Sequence, residues 1–79
     1  MKKELTTIKC LIEASSKLSY CKVDYYVEPS ISSVVFFIML EDYHHIFKAP
    51  FGLLEVTTPN ALADIIINEV LEWRNKYET

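Results

Sequence analysis

The chain has 79 residues, 51% of them hydrophobic, with eight Lys and Arg against eleven Asp and Glu and a net charge of −3. That much apolar content with one Gly and three Pro excludes a disordered chain. The scattered basic residues exclude strong attraction to a phosphate backbone. A single domain, 1–79, is expected to have a thin core, because so short a chain buries only about 60 to 65% of the surface its unfolded form exposes.

Residues Met1, Lys2 and Lys3 lead into a stretch broken by Glu4, Thr6, Thr7, Lys9 and Glu13, unlike the apolar core of an export signal. The longest apolar run falls short of the roughly 20 residues a spanning helix needs, so a soluble, cytoplasmic protein without membrane contact is expected. Cys10 and Cys21 are too few for a disulfide framework and read as buried free thiols in a reducing cytosol.

From Lys2 the apolar residues Leu5, Ile8, Leu11, Ile12 and Leu18 recur at helical steps, which predicts an amphipathic helix ending near Lys17 or Leu18. The period then changes to two. Cys21, Val23, Tyr25 and Val27 alternate with Lys22, Asp24, Tyr26 and Glu28, a half-buried strand. Pro29 to Ser33 makes a turn, and the seven apolar residues from Val34 to Leu40 make a second strand, antiparallel to the first because the link is short.

Beyond the turn at Glu41, Asp42 and Tyr43, residues His45 to Ala49 read as extended until Pro50, Phe51 and Gly52 break them. Leu53 to Thr57 reads as a continuation past a bulge or a separate short strand, the first giving a bent third strand. Thr57 and Thr58 before Pro59 start a helix, since threonine caps orphan amides and proline has none to lose at the first position. The helix is expected to run from Pro59 to about Lys76, with a stripe of Leu62, Ile66, Val70, Trp73 and Tyr77 widened by Ile65 on one side and by Ala63, Ile67 and Leu71 on the other.

The expected fold is therefore α+β, of order αβββα, with a three-stranded antiparallel sheet and two helices packed on one face. That order resembles the double-stranded-RNA-binding fold, which presents a basic cluster at the start of its last helix. Residues 59–64 here carry no positive charge, so duplex binding by that route is disfavoured.

One side of the second strand then meets the helices and the other lines an open, apolar face. Tyr26 or Tyr25, and Phe47 or Ile46, would extend that face from the neighbouring strands, and we expect Tyr26, Val35, Phe37, Met39 and Phe47 as the contacts. Leaving such side chains exposed forgoes about 1.5 to 3 kcal/mol each, comparable to the whole margin of a small domain. A loop at Ala49 to Leu54, a second copy or another protein can supply the cover. Association is favoured, and a two-fold homodimer is its commonest form.

Little in the chain suggests chemistry. Glu41, Asp42, His44 and His45 lie close together, but neighbours on a strand point to opposite faces and no metal-ligand spacing is present. Cys10 or Cys21 with His44 and Asp24 or Asp42 lacks any arrangement that orients a base. One glycine, Gly52, cannot build a phosphate loop. The reading is a non-enzymatic interaction module without cofactor or metal, an inhibitor or regulator that pairs with itself and another protein. The alternative is a small-ligand or nucleotide binder using Tyr20, Tyr25, Tyr26 and Tyr43 as stacking platforms.

Overall fold

A computed structural model describes residues 2–78, with side chains for residues 4–77. Helix α1 spans Lys2–Glu13, strands β1, β2 and β3 span Lys22–Glu28, Ser33–Met39 and His44–Pro50, and helices α2 and α3 span Phe51–Val56 and Pro59–Glu78. A 3-10 turn at Pro29–Ile31 joins β1 to β2. The sheet is antiparallel with β2 in the centre, so the expected α+β fold with three antiparallel strands is borne out.

Register assigns every strand residue to a face. Val23, Tyr25 and Val27 lie level with Ile38, Phe36 and Val34, and those with His45, Phe47 and Ala49. This inner face joins Leu5, Ile8 and Ile12 of α1 and Leu62, Ala63, Ile66, Ile67 and Val70 of α3 in one buried cluster. Phe36, Val34 and Ile38 are wholly buried within it.

Three expectations on the elements are corrected. Helix α1 stops at Glu13 rather than near Lys17, and the Ser15 hydroxyl instead accepts the Lys17 amide at 3.2 Å, a local turn that competes with the next helical bond. Leu18 still reaches the core, 3% exposed. The bent third strand does not form beyond Pro50, which has no amide to donate to a ladder. Residues 51–56 coil into α2, burying Leu54 and packing Phe51 and Leu53 against the same cluster. Finally, Trp73 and Tyr77 lie outside the buried part of α3's stripe, being 49% and 73% exposed.

The start of α3 follows the expected chemistry. The Thr58 hydroxyl accepts the Ala61 amide at 3.2 Å, and Pro59 takes the first helical position. No helix among the described residues is long and apolar enough to cross a membrane.

Candidate functional site

The other face of the sheet carries Lys22, Asp24, Tyr26 and Glu28 from β1, Ser33, Val35, Phe37 and Met39 from β2, and His44, Ile46, Lys48 and Pro50 from β3. None of these residues belongs to the core cluster. The apolar ones run together down the middle. Tyr26 stacks on Phe37 with ring centroids 5.6 Å apart, and Val35 is buried between Tyr26 and Lys48 in register. Phe37 and Met39 are half-buried, whereas Ile46 and Tyr26 are 56% and 45% exposed. Phe37, Met39 and Ile46 border a recess of about 270 Å³ beside Asp24 and His44.

Four of the five expected contact residues thus share this face. The fifth, Phe47, does not: it pairs with Phe36 on the inner face and is part of the core. Ile46 holds the corresponding place outside. Lys48 was the signal in the sequence, since a charged residue two positions from Ile46 puts both on the wetter side of a period-two strand. The segment weighed as one possible cover, Ala49 to Leu54, turns towards the inner cluster through Ala49, Phe51, Leu53 and Leu54 and leaves the outer face open.

The turn residues separate. His44 stands exposed on the outer face, whereas His45 points inward, its Nε2 2.7 Å from a Glu69 carboxylate oxygen and its Nδ1 2.9 Å from the Tyr43 hydroxyl. A carboxylate only accepts, so Nε2 carries the proton shared with Glu69, and in the neutral ring Nδ1 accepts from Tyr43. Arg74 reaches Asp42 at 3.2 Å, and Tyr43 packs on Tyr77 at 5.6 Å. These contacts fasten the β2–β3 turn to α3. Glu69, invisible as a site residue in the sequence, holds His45 among them.

Burial and the Glu69 charge both push the Tyr43 phenol above its ordinary range, so it stays protonated and is no nucleophile at neutral pH. Burial, and secondarily Glu13, raise the Cys21 thiol from 9.0 to about 11, which suppresses its thiolate. Cys10, expected to be buried, is exposed on α1. No group of three or more His, Cys, Asp or Glu that could hold a metal ion occurs among the described residues.

Of the tyrosines read as stacking platforms, Tyr20 and Tyr26 are exposed. Tyr25 is half-buried on the inner face, its hydroxyl 2.9 Å from Thr6 Oγ1. No protein-family model, no curated protein and no solved structure matches the chain.

Proposed function

We propose that the chain is a non-enzymatic protein-interaction module, an inhibitor or regulator of another protein, that is a homodimer and acts through its apolar sheet face. The observation that carries this reading is the face itself. The stacked Tyr26 and Phe37, with Met39 and Ile46, lie in a continuous band outside the core, and all three helices send their buried residues to the other side. A band of that kind in a chain this small favours association over solvent exposure. The protonated states of Tyr43 and Cys21 add weight to a non-catalytic role. The two unpaired cysteines fit a reducing, cytoplasmic setting.

Light scattering tests the reading directly, with twice the chain mass as the expected result. Phe37→Asp is expected to keep the native circular dichroism, because the ring lies outside the core. A particle of single-chain mass at every concentration overturns the homodimer, and an unfolded Phe37→Asp overturns the placement of that ring on a contact surface.

A further inference from the structure

The sheet has two outer edges, and they differ in charge pattern: β1 runs from Lys22 to Glu28, opposite charges at its two ends, whereas β3 runs from His44 to Pro50. On β3 the outward-facing amides belong to His44, Ile46 and Lys48, because the Phe51 amide bonds inward to Ser32 O at 2.9 Å and ladder bonds alternate. That edge carries a lysine and ends at Pro50, devices that discourage strand addition, and β1 likewise carries Lys22 and is followed by Pro29. On β1 the Val23 amide points away from β2, since it donates to Glu13 Oε2 at 2.8 Å. By the same alternation Tyr25 and Val27 also turn their amides and carbonyls outward. Val27 is 46% exposed there.

We infer that two copies of this chain join edge to edge along β1, antiparallel and centred on Tyr25, to form one continuous sheet. The inference rests on the homodimeric reading above and names its geometry. Tyr25 is the middle residue of Lys22–Glu28, so a two-fold axis through it overlaps the whole strand. It pairs Tyr25 with Tyr25, Val23 with Val27 and Lys22 with Glu28 of the second copy. The outward amides and carbonyls of Val23, Tyr25 and Val27 then face one another, as hydrogen-bonded pairs require. The terminal pairs set opposite charges directly across from each other at both ends of the seam.

Two local features bear on this register. Asp24 meets the second Asp24 on a diagonal, a weaker like-charge contact than the two direct Lys–Glu pairs. Glu13 caps the Val23 amide and must swing aside for that bond to change partner, while the Tyr25 and Val27 amides are reached without moving it.

One copy alone offers a small apolar face to a partner protein. Three strands of seven residues present a face of about 300 Å², against ~800 Å² per partner in a standard stable interface. Joining at β1 places two such faces side by side, about 600 Å² in one plane, with both Tyr26–Phe37 stacks near the seam. The doubled face is the surface offered to the regulated protein.

Charge exchange across the seam is the test, read by sedimentation velocity. Lys22→Glu alone and Glu28→Lys alone each weaken the dimer about tenfold, and an equimolar mixture of the two variants regains it as a heterodimer. Phe37→Asp leaves the dimer intact. If both charge variants dimerise like the native chain while Phe37→Asp is monomeric, the copies pack face to face: the edge geometry is overturned and the homodimer stands. If the native chain is monomeric at all soluble concentrations, both readings fall.

Discussion

Tyr20 holds φ at +56°, in the left-handed region where a bulky side chain crowds its own carbonyl, and its ring is 84% exposed. Nothing in the core compensates for that strain. Tyr20→Gly is therefore expected to raise stability by about 0.5 to 1 kcal/mol, seen as a higher urea midpoint; an unchanged or lower midpoint would show that the ring contributes more than its backbone costs. At His45 both ring nitrogens are engaged and the side chain is 10% exposed. His45→Ala should cost about 1 to 3 kcal/mol by removing the partner of Tyr43 and of the α3 residue Glu69. Cys21 gives a pH dependence. Its thiol titrates at 9.0 when free and at about 11 in the folded chain, so the unfolded chain loses its proton first. Stability that is fully present below pH 9 is lost as the pH rises towards 11, and Tyr43, also raised, adds to the same alkaline fall. Cys21→Ala should flatten the pH 9 to 11 part of the urea-midpoint profile.

Among the elements, β2 carries the sharpest contrast between neighbouring residues. Phe36 is wholly buried between β1, β3 and the helices, so Phe36→Ala is expected to remove about 3 to 5 kcal/mol and leave much of the chain unfolded in calorimetry. Phe37→Ala, one residue on and facing outward, should cost a single copy far less. Equal losses would mean that both faces are core. The alternation of Val23, Tyr25 and Val27 made β1 legible in the sequence, and Thr58–Pro59 marked the start of α3. The unbroken apolar run of β2 gave no inside or outside, and only Lys48 against Ala49 on β3 decides which face is wet. Helix α2 escaped because Leu53 to Thr57 is too short for strand and helix periods to be told apart. Trp73 and Tyr77 match the stripe of α3, but 20 helical residues reach about 30 Å while seven strand residues reach only about 23 Å. The last turns overhang the sheet and settle on Tyr43 and His45, with Lys76 4.9 Å from the Trp73 ring. Tyr43 and Tyr77 lie 34 residues apart in the chain and His45 and Trp73 lie 28 apart, and no local pattern announces such pairs.

For the molecule as a whole, the two ways of pairing respond oppositely to salt. Lys22 and Glu28 sit on solvent-accessible positions of the outer face, and their attraction across a β1 seam is screened as ionic strength rises. Dimerisation along that edge is expected to weaken when sodium chloride is raised through the physiological range, whereas contact between two apolar faces would hold or tighten. The sedimentation coefficient as a function of salt separates them without any substitution.

The guarded margin at Lys48 and Pro50 decides how such a protein can fail. If two copies close along β1 as proposed, the borders left free are both β3, whose lysine and proline discourage further strands and so favour a pair over a fibril. Replacing both is then expected to open that border to aggregation.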